Sequence, residues 1–435
     1  MFYSIVDIVK KFICLLLLLT AFLFSSFCDI VLTADSAAQM ALENNRSLKR
    51  QEITVQGKER TAKNRWNVFL PEITATAGVS RGNEILKNSP DATWAGQVGG
   101  SISLTLGTDI PHKMSRIKEE YAAGNIDYEV AQRNLEVTVR QAFYELLIYQ
   151  KNMDLVQNNL ETNKRRYDQT QERYKGGLAP ELDVLNSFLA WSKLVPAYDS
   201  LSTQYQHKLD QLKITLGIPA DENVVLQGDV ETLVPDDFNL SDIPEEYETP
   251  ELRKLKASLN VAESSRKELR GYSLMPELSL GWNINPYWND ITYGDDYVDR
   301  GALSATLRWH LDNLIPNSTG NLKIKQLEDD AEKIRLQIAE EEEESTSRVE
   351  NLVRQIKQQQ ESVKTLDLTR EVAEKTLSLT EEAYKYGTKD MLDVSDAQFT
   401  VRTAEMDILQ RKFDIYCSIL ELEYTLNLTF GTLGR

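Results

Sequence analysis

The 435-residue chain carries 49 Lys and Arg against 67 Asp and Glu, a net charge of -18, with 41% hydrophobic and 27% charged residues. That apolar content supports a real core, while the charge excludes both a disordered chain and an all-buried helical membrane bundle. Lys and Arg are interleaved with Asp and Glu, so nucleic acid is excluded as a partner, because phosphate binding needs clustered cations.

The amino end has Lys10 and Lys11, an apolar run from Phe12 to Phe24, then Ser25 and Ser26 before Cys28 and Asp29. This is the pattern of an export leader over residues 1–28, and a cut after Cys28 puts Ser26 and Cys28 where small side chains are required. Two alternatives stay open: acylation of Cys28, opposed by bulky Phe27 before it, and an uncleaved anchor, opposed by a run short for a hydrocarbon core of ~30 Å. After such a cut Cys417 is the one cysteine left, on the apolar stripe of the last helix, which excludes an internal disulfide and a cysteine-only metal site. No later stretch is long and apolar enough for a spanning helix, so membrane contact must use strands or a surface face.

Beyond the leader the chain is written twice. Phe69-Leu70-Pro71-Glu72-Ile73 recurs as Leu274-Met275-Pro276-Glu277-Leu278. Tyr174-Lys175-Gly176-Gly177, followed by Leu182-Asp183-Val184, recurs as Tyr384-Lys385-Tyr386-Gly387, followed by Leu392-Asp393-Val394. Order and spacing repeat together, which marks a duplicated unit. The predicted halves are 29–218 and 251–435, joined by a Pro- and acid-rich linker over 219–250.

Each half reads as helix, two strands, very long helix, tight turn, long helix. In the first, Ile73, Ala75, Ala77 and Val79 alternate with polar residues, as do Val98, Ile102, Leu104 and Leu106. The second repeats this with Leu278, Leu280, Trp282 and Ile284, then Leu303, Ala305, Leu307 and Trp309. A period of two predicts strands near 72–106 and 277–309 with one apolar face, long enough to cross a membrane at a tilt. Trp94, Trp282, Trp288 and Trp309 fall in or beside these strands, as in an interfacial aromatic girdle. Four strands cannot close alone, since small barrels need about 8, so closure demands an oligomer. From about Ile110 to Tyr174 and Asn321 to Tyr384 no internal proline occurs, which predicts two helices of ~65 residues, roughly 95 to 100 Å each. In the second, Leu327, Ala331, Ile334, Ile338, Val349, Leu352, Ile356, Val363, Leu366, Ala373 and Leu377 keep coiled-coil steps, diluted by Glu342, Ser345 and Arg370. Glu340–Glu344 reads as a solvated face, although acids lining a watery interior would look the same.

These features, with Ala41-Leu42-Glu43-Asn44-Asn45 near the start and Tyr424-Thr425-Leu426-Asn427 near the end, resemble the TolC-like outer-membrane efflux protein family over the whole mature chain. The resemblance implies a homotrimer: one 12-stranded barrel in outer-membrane lipid, continued by an α-helical tunnel through the periplasm. Such a channel is the exit duct of a tripartite efflux or type I secretion system. A periplasmic adaptor (membrane fusion) protein and an inner-membrane efflux pump or ABC transporter dock at the tunnel's tip. It also implies that Lys175, Gly176, Gly177, Leu178, Lys385, Tyr386, Gly387 and Thr388 are adaptor-contact tips. Asp393 and Asp396 match the family's acidic rings at the tunnel mouth, and Tyr384 and Lys389 match positions that hold it shut. Lys389 replaces the usual arginine, and lysine lacks the flat bidentate fork, so this lock is expected to be looser. Pro180 and Thr388 read as helix-start residues, and Asp183 as a helix-start acid.

An enzyme is the weaker alternative. Asp390, Asp393 and Asp396 share a helix face, but His112, His207 and His310 have no ligand spacing, so no cofactor or metal is expected. A periplasmic adaptor or coiled-coil scaffold is the other rival, and it leaves the amphipathic strand pairs without a purpose.

Overall fold

A computed structural model describes residues 30–81, 94–230, 243–244, 246–288, 291 and 298–433. The leader, its cut, residues 82–93 of the first strand loop, most of 289–297 in the second and 231–242 of the linker lie outside them.

The chain opens with β1 (Ile30–Leu32), α1 (Ala34–Asn44) and α2 (Arg46–Lys63), then a 3-10 turn over Arg65–Phe69. Strands β2 (Glu72–Arg81) and β3 (Trp94–Leu106) lead into α3 (Ile110–Lys175), α4 (Glu181–Ser192), α5 (Leu194–Leu216) and β4 (Val224–Leu226). Next come α6 (Pro250–Leu274), β5 (Glu277–Ile284), the short β6 (Pro286–Trp288) and β7 (Val298–Asp299), and β8 (Ala302–Arg308). After a 3-10 turn over Leu311–Leu314, α7 (Thr319–Lys385) and α8 (Met391–Thr425) complete the chain.

The main strands form one antiparallel sheet in the order β2–β3–β5–β8. Its register brings the two strand pairs predicted from alternation into a single two-faced surface. Ile73 lies opposite Ile102, Ile102 opposite Trp282, and Trp282 opposite Leu303; Leu104, Leu280 and Ala305 form the next row, and Leu106, Leu278 and Leu307 another. Opposed residues share a face, so these rows are one apolar surface. The alternate rows are polar: Thr74, Ser101 and Asn283, and Thr105, Ser279 and Thr306. The apolar face is open to solvent in the single chain: Leu303 is 84% and Ile73 71% exposed. Among the described residues β2 pairs only with β3, and β8 only with β5, so both outer edges present unused backbone groups. The strand ends at Arg308, one residue short of the predicted Trp309, whose indole instead donates to the Leu274 carbonyl at 3.2 Å.

Two rods leave the sheet. Helix α3 has 66 residues with Pro111 in its first turn, where the missing N–H costs nothing, and α7 has 67, begun by the Ser318 hydroxyl accepting from Asn321 N–H. At 1.5 Å per residue each is about 100 Å long. The core lies at mid-rod, where Val139, Phe143, Leu146 and Leu147 of α3 pack with Ala37 and Ala41 of α1, Leu209, Leu212 and Leu216 of α5, and Leu32 and Leu226. There β1 and β4 make a two-stranded parallel sheet that alternation does not announce. A second cluster joins Val349, Leu352 and Ile356 of α7 to Ile415, Ile419 and Leu422 of α8. Every predicted seam position of α7 is buried or half-buried, and Ser345, expected to interrupt the seam, is buried in it with its hydroxyl on the Glu342 carbonyl. Four of the five residues Glu340–Glu344 are exposed; Glu341 is half-buried, beside Arg348 at 3.6 Å.

The first returning helix differs from expectation. It is interrupted at Lys193 between α4 and α5, because Pro196 has no N–H for the Ser192 carbonyl. Helix α8 has no such break over 35 residues. The buried Glu423 of α8 accepts from the N–H groups of Gly431 and Leu433 at 2.9 and 2.8 Å, holding the carboxy-terminal segment against the rod. No described helix is long and apolar enough to cross a membrane.

Candidate functional site

The rods end in two turns of the same backbone design. At the first, Gly177 N–H reaches the Tyr174 carbonyl at 2.9 Å and Leu178 N–H the Arg173 carbonyl at 2.8 Å, with Gly177 at φ +71°. At the second, Gly387 N–H reaches Tyr384 and Thr388 N–H reaches Ala383, both at 3.0 Å, with Gly387 at φ +74°. This is the Schellman arrangement, in which a left-handed residue lets the last carbonyls find donors. Gly176 and Tyr386 occupy equivalent positions at ordinary φ of -82° and -87°, so glycine is required only at Gly177 and Gly387. The surroundings of both are open, so adding a methyl group tests backbone strain alone. Gly177→Ala and Gly387→Ala are each expected to cost about 1–2 kcal/mol, and Gly176→Ala much less, read as shifts in thermal unfolding.

Thr388 is not the helix start expected of it. It closes α7, its hydroxyl donating to the Ala383 carbonyl at 3.0 Å, while Asp390 caps α8 by accepting from the N–H groups of Leu392 and Asp393 at 3.0 Å. Pro180 does precede α4 directly, with Glu181 and Asp183 in the first turn. Lys175 pairs with Glu172 at 2.7 Å, Lys385 is exposed, and Leu178 and Tyr386 are 73% and 78% exposed. With exposed Leu182, Leu185 and Leu392 they leave apolar surface at the rod ends.

Asp393 completes the cap, its second oxygen accepting from Asp390 N–H at 3.3 Å, while the first pairs with Lys389 at 3.1 Å. Lys389 first, and the Asp390 N–H second, hold the Asp393 carboxyl below the usual carboxylate range. The contribution of this pair is therefore present above the ordinary carboxylate pKa and is lost as pH falls through the depressed one. Asp396, one turn further along α8, takes no part in this pair. It lines a groove of about 370 Å³ with Asn159 and Asn163 of α3, Asn186 of α4, Lys193 at the break and Arg402 of α8. Thus Lys389 and Asp393 come together, Asp396 does not join them, and among the described residues Tyr384 makes no side-chain hydrogen bond to any of the three. The three carboxylates at 390, 393 and 396 form no metal-binding group.

Two features near the tips escaped sequence reading. Arg166 of α3 pairs with Glu381 of α7, tying the two hairpins across a separation of 215 residues. Tyr167, Phe188 and Trp191 cluster with ring centroids 5.5 to 5.9 Å apart, Tyr167 stacked on Trp191, and join α3 to α4. The aromatic side chains are visible in the sequence, but their meeting depends on where the hairpin turns. Cys417 is half-buried, and burial pushes its thiol up to about 12, which disfavours the thiolate. Of the histidines, His207 is exposed, His112 is half-buried, and the His310 ring lies 6.2 Å from that of Tyr272.

The family description "Outer membrane efflux protein" matches residues 37–217 and 246–427, which is most of the chain. The chain belongs to the outer membrane efflux protein family. A curated relative, nodulation protein T of Rhizobium leguminosarum bv. trifolii, is 23% identical over 287 residues, 61% of this chain but only 57% of that protein's length. Among solved structures, CusC, described by its transmembrane channel formation, superposes with a TM-score of 0.73 at 13% identity, covering 91% of this chain and 92% of its own. The CmeC outer membrane channel of Campylobacter jejuni gives 0.72 at 14% identity over 90% and 85%. The open state of the MtrE outer membrane channel of Neisseria gonorrhoeae gives 0.65 at 16% over 91% and 89%. At these identities the likeness establishes the fold, and the family match carries the rest. The resemblance to the TolC-like channels therefore holds, and the family is one of the outer membrane.

Proposed function

We propose that three copies close their sheets into one 12-stranded barrel, continued by a helical duct through which solutes leave passively. The observation that carries this is the sheet: apolar on one whole face, polar on the other, with β2 and β8 both unpaired. A lipid-facing strand needs the first property, and a barrel closed between chains needs the second. Edge β2 of one copy would pair with β8 of the next, and the polar face would line the water-filled interior. The rival adaptor or scaffold reading accounts for the rods but not for this sheet.

In the same reading the two halves, 29–218 and 251–435, arose by duplication, the leader directs export, and the rods meet lengthwise as coiled coils. The exposed tips around Leu178 and Tyr386 receive a periplasmic adaptor, which delivers cargo from an inner-membrane pump in tripartite efflux or type I secretion. Lys389 and Asp393, with Tyr384 and Asp396, form the mouth and its charge filter.

Single-channel conductance of the detergent-purified protein in a planar bilayer tests the duct. A cation-selective pore is expected, with Asp393→Ala plus Asp396→Ala lowering the cation-to-anion permeability ratio roughly twofold or more. Asp396→Ala alone should carry most of the change, since Lys389 already offsets Asp393. A verified trimer that opens no pore returns the protein to the scaffold reading; a pore indifferent to both substitutions removes only the filter.

A further inference from the structure

The four main strands β2, β3, β5 and β8 carry four charged residues, and the pleat sorts them between the two faces. Glu72, Glu277 and Arg308 take polar-face positions at the rod end of the sheet, where Glu277 pairs with Arg308 at 2.9 Å. Arg81 departs from this rule. It follows Ile73, Ala75, Ala77 and Val79 along the apolar face and stands at the far end of the sheet, opposite Trp94. Its guanidinium lies over the Trp94 ring, 5.8 Å from the centroid.

The surface beside this pair is apolar. Ile291 N–H donates to the Trp94 carbonyl at 2.9 Å, and a Cβ on Gly96 would lie 2.8 Å from the Ile291 side chain and 3.8 Å from the Trp288 ring. Ile291 and Trp288 therefore cover bare backbone at a position with no room for a side chain. Val79 lies opposite Gly96 and Ala77 opposite Val98, so the face continues apolar toward the rods. Strand β3 has 13 residues from Trp94 to Leu106, about 40 Å of chain, which at a tilt of about 40° gives about 30 Å of height. The apolar band of a membrane barrel is about 25 Å tall, with aromatic girdles beyond it. With Leu106 at one limit, Trp94 and Arg81 reach headgroup level at the other.

We infer that Arg81 and Trp94 bind the phosphate group of a lipid in the outer leaflet, whose acyl chains lie along Ile291, Val79 and Val98. A long cationic side chain at the edge of an apolar face extends its head out of the hydrocarbon, and tryptophan is the ring suited to that level. A guanidinium offers a phosphate two parallel N–H donors and can make them while stacked on an aromatic face. A free phosphate would gain those bonds without the apolar contact, so the lipid is the better occupant. The site rests on the barrel reading of the sheet, with the rods on the periplasmic side.

Flotation of the full-length protein with phosphatidylethanolamine and phosphatidylglycerol vesicles is read first. The assembly is then purified in detergent, stripped of lipid and titrated in native mass spectrometry with lipid A, dephosphorylated lipid A or inorganic phosphate. Arg300 is the control: it lies over Tyr287 at 4.5 Å, and Tyr287 stands opposite Gln97 on the polar face. The natural protein is expected to prefer lipid A over its dephosphorylated form roughly tenfold, a preference that Arg81→Gln cuts below about twofold and Arg300→Gln retains. Excess inorganic phosphate should not displace the lipid. An unchanged preference in Arg81→Gln, displacement by inorganic phosphate, or loss of the assembled oligomer in Arg81→Gln, which would assign the side chain to a contact between copies, overturns the site. Protein that fails to float ends the barrel reading and the site with it; protein that floats without the preference ends the site alone.

Discussion

Leu280→Arg is expected to remove the protein from the outer membrane as an assembled species. Leu280 lies near the middle of β5, flanked on the same face by Leu104 and Ala305, and is 40% exposed in the single chain. If that face meets lipid, an arginine there costs about 2–4 kcal/mol at mid-membrane, hence roughly 6–12 kcal/mol for three copies in one barrel. Ser279 supplies the control. It is the next residue, it faces the other way, and its hydroxyl lies 3.2 Å from that of Thr105. In the proposed barrel, Ser279→Arg would add the same charge to the water-filled side and should leave the assembled oligomer on a native gel near wild-type abundance. Equal abundance of the two variants would mean that the apolar face does not meet lipid, and the barrel would have to be abandoned.

Phe143→Ala should unfold the middle of the rod at about 3–5 kcal/mol less free energy, the cost of deleting a large buried ring. Phe143 is 0% exposed, and helices α1 and α5 and strands β1 and β4 converge around it. Its ring meets Tyr144 edge-on at 5.4 Å, and Tyr144 meets Tyr416 of α8 at 4.6 Å, so one side chain begins a contact path from the first half to the last helix. The denaturation midpoint should fall with little change in slope. A loss below about 1 kcal/mol would show that mid-rod packing does not hold the elements together.

The rods and the sheet were legible because each rests on a local rule. A long proline-free run with apolar residues at steps of three, four or seven reads as a helix, and a period of two over ten residues reads as a strand. Even the diluted seam of α7 was readable, since Leu352 and Ile356 bury where the spacing puts them. What escaped depends on partners distant in sequence. Val224–Leu226 is too short to signal a strand until Ile30–Leu32 lies beside it. The break at Lys193 is signalled by Pro196, which has no counterpart in α8. At the tips, residue type located the turn correctly and misassigned its parts, because Thr suits both a helix start and the residue after a cap. Arg166 and Glu381 are ordinary surface charges until two rods are laid side by side.

The two tip turns also bear on how such a protein can change. Their direction is set by main-chain bonds and one left-handed glycine each, and two of the flanking positions, Gly176 against Tyr386 and Leu178 against Thr388, already differ between the two ends. Three of every four tip positions are therefore open to variation without refolding the hairpin. A lineage can retune one end for a new neighbour while the other keeps its old one, and the scaffold between them need not record the change.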